Sequence, residues 1–195
     1  MINEFITFVS ETMPCISPYT KEGIKNALQQ FKINNKKFCT TMRVNFDELC
    51  QGDILENIPF YRINKSTGKI SVYTGKGVVL SNTCDCSRDE TILIAPFMPI
   101  GNMKTDQGNI LSNKVYRYLY LPDKNFEDFA VDFSLTNTFN REIILKGLDN
   151  NAIKKNKSLN GYGYYLLICK LTIYLLRPED AEVNKSRLIE EELCG

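Results

Sequence analysis

The chain has 195 residues, of which 43% are hydrophobic and 24% charged, and its 24 lysines and arginines nearly balance 23 aspartates and glutamates. These proportions are typical of a globular protein, and the length is sufficient to bury a core without metals or disulfides. The absence of histidine excludes catalytic triads with a histidine base and metal sites that need imidazole. Any catalysis must therefore use carboxylates, Lys, Arg, Tyr, Ser, Thr or Cys.

The seven cysteines are an odd set without a Cys-x-x-Cys pair, and the N-terminus lacks the basic start and long apolar stretch of a signal peptide. We expect a cytoplasmic protein with reduced thiols. The most apolar run, residues 162–176, contains Lys170 and, at about 15 residues, is shorter than the ~20 residues that cross a bilayer, so no membrane span is predicted. The cysteines are Cys15, Cys39, Cys50, Cys84, Cys86, Cys169 and Cys194.

Residues 1–45 are predicted to be mainly helical. Ser17 and Pro18 provide a capping hydroxyl and a first-turn proline. Apolar residues then recur at helical spacing, namely Ile24, Ala27, Leu28 and Phe31. This pattern indicates one amphipathic helix with a basic tail.

Residues 50–100 change to short, apolar, β-branched runs separated by turn residues. One strand begins after Gly52-Asp53, and Asn64–Gly68 has the composition of a turn. Residues 77–80 and 91–95 are the most apolar runs, so we expect them at the centre of the sheet, buried on both faces. Gly75-Lys76-Gly77 is predicted to be a tight turn before a strand, because it fails the spacing of a phosphate-binding loop.

The second half begins with a polar loop and returns to helix at its end. Residues 114–121 are predicted to form a strand whose exposed face holds Arg117 and tyrosines, and residues 126–135 one more strand. Thr138 or Asn140 can cap a helix over 141–148. The basic stretch 149–158 is expected to be a loop. A leucine-rich helix over 164–176 should pack on the sheet and end at Arg177-Pro178.

The central segment resembles the SH3-like barrel of the PemK/MazF toxin family. Three short motifs carry the resemblance: Gly52-Asp53-Ile54, Gly77-Val78-Val79-Leu80-Ser81-Asn82 and Ile92-Leu93-Ile94-Ala95-Pro96. The likeness covers about 50 residues and concerns the fold before the activity. It implies an α+β protein with a small SH3-like β-barrel over 48–135, an N-terminal helical arm over 1–47 and a C-terminal helical segment over 136–195 whose helix packs on the barrel.

The resemblance also implies which residues an RNA-cleaving member would use. Family members place an arginine just before the Val-Val strand and a Thr or Ser shortly after the proline of the next strand. This chain has Lys76 at the first place and Phe97-Met98-Pro99 at the second. Lysine provides a point charge where arginine provides a planar fork, and the hydroxyl is missing. Loss of one transition-state charge contact costs roughly 3 kcal/mol, so a nuclease would need replacement groups.

The chain is also similar to a group of prokaryotic proteins of unsettled function that carry Val-Val-x-Ser/Thr-x-Thr-Cys-Asp, matched by residues 78–85. The polar stretch that follows has two interpretations. Asp85 could act as a base beside Arg88, with Thr83, Cys84 and Asp85 at a binding site. Alternatively, the stretch is a hairpin turn in which Asp and Thr satisfy backbone amides and the cysteines pack as small apolar residues. Two cysteines at this spacing do not make a zinc site, so no metal or other cofactor is expected.

Two functions remain open at this level. The preferred one is a non-catalytic interaction or regulatory module of a prokaryotic toxin–antitoxin, stress or phage-defence system, with another protein as partner and a second copy of the chain as the other candidate partner. The alternative is a MazF-like endoribonuclease that cuts single-stranded RNA with relocated groups, of which Lys76, Asp85 and Arg88 are the first candidates. Arg117 and Tyr118 could add a stacking surface for bases, or serve as ordinary sheet residues.

Overall fold

The computed structural model describes residues 40–44, 46–176 and 180–188, together with Glu22 and Asn26, which are both helical. The strands are β1 (Thr41–Arg43), β2 (Asp53–Ile63), β3 (Ile70–Val79), β4 (Thr91–Pro99), β5 (Tyr118–Leu119), β6 (Phe129–Asp132), β7 (Asn137–Asn140) and β8 (Lys154–Leu159). The helices are α1 (Thr83–Arg88), α2 (Gln107–Leu111), α3 (Arg141–Asp149), α4 (Gly161–Leu175) and α5 (Ala181–Leu188). Residues 100–102 and 133–135 form 3₁₀ turns.

The strands form one antiparallel sheet in the order β1-β8-β2-β3-β4-β6-β5. Strand β4 has β3 on one edge, and its other edge is shared by β7 over Thr91–Ile94 and β6 over Phe97–Pro99. The α+β class is therefore confirmed. No helix in the described ranges is long and apolar enough to cross a membrane.

The centre of the sheet is buried on both faces, as predicted for the two purest apolar runs. Val78 pairs with Ala95 and Val79 pairs with Ile94, and all four are fully buried. Alternate residues enter two hydrophobic clusters: Val78 and Ala95 pack towards α4, whereas Val79 and Ile94 pack around Phe60. The expectation fails at Leu93, which is exposed.

In the long β2–β3 hairpin, the absence of a side chain at Gly77 leaves room for an aromatic ring. Strand β3 runs unbroken through Gly75 and Gly77, where the sequence indicated a turn. A β-carbon at Gly77 would lie 2.5 Å from Ile94 Cγ2 and 2.6 Å from Phe60 Cζ. The Phe60 ring also stacks on Tyr73 and meets the edge of Phe139. The ring fills the space over Gly77 and contacts β7 through Phe139.

The β2–β3 hairpin contacts β7 but does not pair with it as a neighbouring strand. Asn137 of β7 accepts the Tyr61 N–H through Oδ1 at 2.7 Å and donates from Nδ2 to the Tyr61 carbonyl at 3.1 Å. These two side-chain bonds stand where a closed barrel would have strand pairing. Over the described residues the sheet is open, so the closed SH3-like barrel is not confirmed.

Several predicted segments differ because pairing between distant strands overrides local composition. Residues 41–43 form a strand where helix was expected, and the lysine-rich 154–159 segment is a strand where a loop was expected, because β8 pairs with β1 on one edge and β2 on the other. The predicted strand over 114–121 shrinks to Tyr118–Leu119. There, Asn113 bonds both the N–H and the carbonyl of Tyr120, which ends the extended run.

The helices of the second half follow the sequence more closely. Asn140 caps α3 by accepting the Ile143 N–H, as predicted. Helix α4 packs on the sheet through Leu166 and Leu167 and starts at an Asn160 cap. The predicted stop at Arg177-Pro178 and most of the N-terminal arm lie outside the described residues. The domain boundaries 1–47, 48–135 and 136–195 stay a prediction, although β7 and β8 of the last segment belong to the same sheet.

The packing of Phe60 over Gly77 predicts that Gly77→Ala destabilises the protein. The added methyl group must displace Ile94 or Phe60, and overpacking of this kind costs about 1–3 kcal/mol. Thermal unfolding should show a melting temperature lower by several degrees. Gly161→Ala is the control, because a β-carbon there meets no atom within 4 Å and should leave stability unchanged or slightly higher. Equal stability of the two variants would contradict the proposed role of the glycine.

Lys170 provides a prediction about pH. Burial in α4 lowers the pKa of its ammonium from 10.5 to about 8, and the group donates to the Asn113 carbonyl at 2.6 Å. Between these pH values the unfolded lysine still holds a proton that the folded one has released. The free energy of unfolding should therefore rise with pH across this window relative to Lys170→Met, by up to about 3 kcal/mol. Denaturant titrations of both proteins at pH 7.5 and 10 test this, and a flat difference would contradict it.

Candidate functional site

Lys76 projects from the middle of β3 and already has partners. Its ammonium lies 2.9 Å from the Glu56 carboxylate on the neighbouring strand and 5.7 Å from the centre of the Phe126 ring. Because both partners are at or near the surface, the ion pair contributes little to stability. Lys76 is thus an exposed cation with a neutralising carboxylate beside it.

The stretch with Thr83, Cys84 and Asp85 forms the short helix α1 and not the predicted hairpin turn. Asn82 caps this helix by accepting the Cys84 N–H at 3.0 Å, so the capping carboxamide replaces the role expected of Asp85. Thr83 Oγ1 instead accepts the Gln51 N–H at 3.2 Å, which ties the helix to the start of β2. Cys84 and Asp85 are exposed.

Cys86 and Arg88 lie on different sides of the same short helix. The Cys86 side chain is buried and its Sγ lies 3.5 Å from the Ser81 carbonyl, so it packs as the second interpretation of the stretch expected. Burial raises the pKa of this thiol to about 11, which keeps it protonated. Arg88 is exposed. Within the described part of the chain, no hydrogen bond or ion pair joins Lys76, Asp85 and Arg88.

Arg117 and Tyr118 are held in the structure of the sheet. Arg117 forms a bidentate pair with buried Asp132, at 2.8 Å from Nε and 2.6 Å from a terminal nitrogen, and this pairing raises the pKa of the guanidinium. Its guanidinium lies 5.1 Å from the centre of the Tyr118 ring, which is only 6% exposed. Of the three alternating tyrosines, Tyr116 is exposed and Tyr120 half-buried. An exposed row of stacking tyrosines is therefore not formed.

Between β2 and β8 lies a buried ion pair that local sequence patterns did not predict. Lys155 Nζ lies 3.4 Å from Oδ2 of fully buried Asp53 and donates to the carbonyls of Phe46, Asp47 and Glu48 at 3.1, 3.1 and 2.6 Å. The other carboxylate oxygen, Oδ1, has no hydrogen-bond partner among the described residues. Losing one partner of such a pair costs about 3–5 kcal/mol. The only sequence signal was Asp53 at a strand start, because the partner lies about a hundred residues away.

A cleft whose lining has more basic than acidic residues runs beside this pair. It has a volume of about 1070 Å³ and lies between β1, β8 and the 120–127 segment, where Arg43, Tyr120, Lys124, Asn156 and Lys157 contribute to its walls. Asp123 in its wall is engaged by Thr41, Asn125 and Lys157. Neither this lining nor any other group in the described ranges brings three or more Cys, Asp or Glu together as metal ligands.

The clearest surface feature is a group of exposed apolar side chains on the β2–β3 hairpin. Tyr61 pairs with Val72 and Ile63 pairs with Ile70, and the four side chains are 46%, 66%, 70% and 69% exposed in that order. Residues two apart on a strand share a face, so all four side chains lie together. We call these four residues the hairpin ladder. No periodicity rule finds it, because alternation predicts that such residues face a core.

Comparisons with known proteins found one distant structural likeness and no match in sequence. No family model matches the chain, and no curated protein is similar to it in sequence. Among solved structures, the chain is similar to a crystal structure of MazE–MazF (Form-II) from Deinococcus radiodurans, with a TM-score of 0.42 and 10% identity over 68% of this chain and all of the other. This distant likeness assigns no role to any residue of this chain.

Proposed function

We propose that this chain is a non-catalytic protein-binding module of a prokaryotic toxin–antitoxin, stress or phage-defence system. The hairpin ladder is the observation that carries the proposal. Contiguous exposed apolar side chains are characteristic of interaction sites in soluble proteins. Because these side chains are 46–70% exposed, completing the burial of each would contribute roughly 1–2 kcal/mol before the costs of association. The partner is another protein.

The state of the candidate catalytic residues supports a binding role over a catalytic one. Lys76 is paired with Glu56, Arg117 is locked on Asp132, and Asp85 and Arg88 are exposed on a helix of six residues. Phosphodiester cleavage requires charge-stabilising and proton-transferring groups that converge on one reacting site. The contacts of these residues show no such convergence.

The endoribonuclease alternative has one observation in its favour. Arg43, Lys124 and Lys157 line the cleft beside β8. Grooves with basic residues of this kind can follow a nucleic-acid backbone. The same cleft also includes Asp123 and Glu127, which reduce its positive charge. We therefore rank RNA cleavage second.

An RNA assay separates the two functions. Purified protein incubated with long single-stranded RNA and chelator should produce no sequence-specific cleavage, because the candidates Lys76, Asp85 and Arg88 do not converge on one reacting site. Lys76→Ala and Arg88→Ala are compared with Lys69→Ala, which removes an exposed lysine from the hairpin turn. Sequence-specific cutting that Lys76→Ala or Arg88→Ala abolishes and Lys69→Ala preserves would establish the nuclease and reject the binding module.

A binding assay tests the ladder directly. The double variant Ile63→Thr/Ile70→Thr keeps β-branched residues in the strands but removes most of the apolar surface. We expect it to lose at least tenfold in affinity for the partner protein, whereas Ile143→Thr, at an equally exposed site on α3, should bind like the parent. Candidates come from affinity capture with all three proteins, and binding is then measured with the purified partner. The proposal is wrong if no protein binds in a ladder-dependent way.

A further inference from the structure

The hairpin ladder lies beside an edge of β3 that no described strand covers over residues 70–76. Asn137 bonds both backbone polar groups of Tyr61, so these groups point away from β3. In an antiparallel pair the residue opposite such a residue also points its backbone outwards, and the pattern repeats every second residue. The opposite residue is Val72, and the Asn64 N–H that bonds the Lys69 carbonyl confirms the alternation.

The backbone groups of Ile70, Val72 and Thr74 therefore face outwards along the far edge of β3. Strand β4 covers that edge only over Gly77–Val79. No other strand in the described ranges pairs with residues 70–76 on this side. A row of unpaired N–H and carbonyl groups of this kind is a template for another strand.

The side chains beside this edge are apolar in the middle and basic at both ends. Ile70, Val72, Thr74 and Lys76 alternate along one face of β3, and Lys69 precedes them in the turn. From Asn57 to Asn82 the chain contains Arg62, Lys65, Lys69 and Lys76 and no acidic residue. The carboxylate nearest in sequence is Glu56, which is paired with Lys76.

The positive charge of the hairpin indicates which kind of chain can pair with the open edge of β3. A second copy paired through the same edge would bring basic hairpins together, and like charges facing each other disfavour association. Lysines on an exposed edge are also a known protection against self-pairing. The same basic residues that repel a second copy would attract an acidic segment.

We propose that the outer edge of β3 binds an extended acidic segment of the partner protein as an added strand. Apolar residues of that segment cover Ile70 and Val72, and a carboxylate near one end meets Lys69. A carboxylate near the other end takes the place of Glu56 at the exposed Lys76 ammonium. The seven residues from Ile70 to Lys76 span roughly 23 Å at about 3.3 Å per residue, which sets the length of the segment. Strand addition of this type takes affinity from main-chain bonds and specificity from alternate side chains. The inference rests on the proposed function and adds the mode and chemistry of binding.

Synthetic peptides test the mode with the full chain. The probe is an eight-residue peptide, capped at both termini, with a glutamate at each end. Between the glutamates, threonine alternates with valine or isoleucine. We expect it to bind and to slow hydrogen exchange of the Val72 and Thr74 amides at least tenfold. The same peptide with lysines for glutamates should bind at least tenfold more weakly.

A pair of variants at one position separates backbone pairing from side-chain contact. Thr74→Pro removes an outward N–H without touching the β2 ladder, and proline already occupies the opposite position at Pro59. It should abolish peptide binding, whereas Thr74→Val should bind normally. Circular dichroism verifies that both variants fold. If Thr74→Pro does not fold, Val72→Glu replaces it, because its negative charge repels the acidic probe and should also abolish peptide binding.

The outcomes distinguish this inference from the proposed function. Peptide binding without slowed exchange at Val72 and Thr74, or with Thr74→Pro unaffected, overturns strand addition. So does a ladder-dependent partner that competes with none of the peptides, although the binding module then stands. A concentration-dependent dimer that Thr74→Pro abolishes overturns the acidic occupant in favour of a second copy. A partner that binds Ile63→Thr/Ile70→Thr as it binds the parent removes the proposed function itself.

Discussion

The packing of Phe60 over Gly77 joins the long hairpin to β4 and β7. Gly75 and Gly77 carry no side chains, so the ring can lie on β3 and reach Ile94. The neighbouring residue Tyr61 is bonded through both of its backbone polar groups by the Asn137 side chain. Phe60 and Tyr73 face the core, and alternation along the two strands turns Tyr61, Ile63, Ile70 and Val72 to the opposite face, which is exposed to solvent. Core packing and the exposed ladder are therefore two sides of one arrangement.

Charged side chains in this protein mainly secure connections between distant segments. Lys155 joins Asp53 to the carbonyls of residues 46–48, and Arg117 joins β5 to Asp132. Both pairs include a buried carboxylate, so each cation neutralises a charge that would otherwise be costly. Lys155 and Arg117 thus hold together segments that are far apart in the chain.

The exposed ladder has a cost that a purely structural hairpin would avoid. An unpartnered strand edge with isoleucine and valine side chains risks association with other chains, and basic residues around it reduce that risk for copies of the same protein. The same charges would attract an acidic segment. Apolar contact, free backbone groups and positive charge then act together on one surface of about seven residues along β3. A partner needs all three properties complementary to bind it tightly.

Local sequence determined the elements whose signals lie within a few residues. The β-branched runs at 77–80 and 91–95, the Asn64–Gly68 turn, the Asn140 cap and the leucine-rich helix depend on neighbouring side chains, and the structure contains each of them. Tertiary structure alone decided the rest. The lysine-rich β8 is a strand because β1 and β2 supply partners on both edges, Arg117 is engaged because Asp132 lies opposite, and the ladder is exposed because Phe60 occupies the inner face. These outcomes depend on residues far apart in the chain, and local composition and periodicity carry no information about which distant groups will meet.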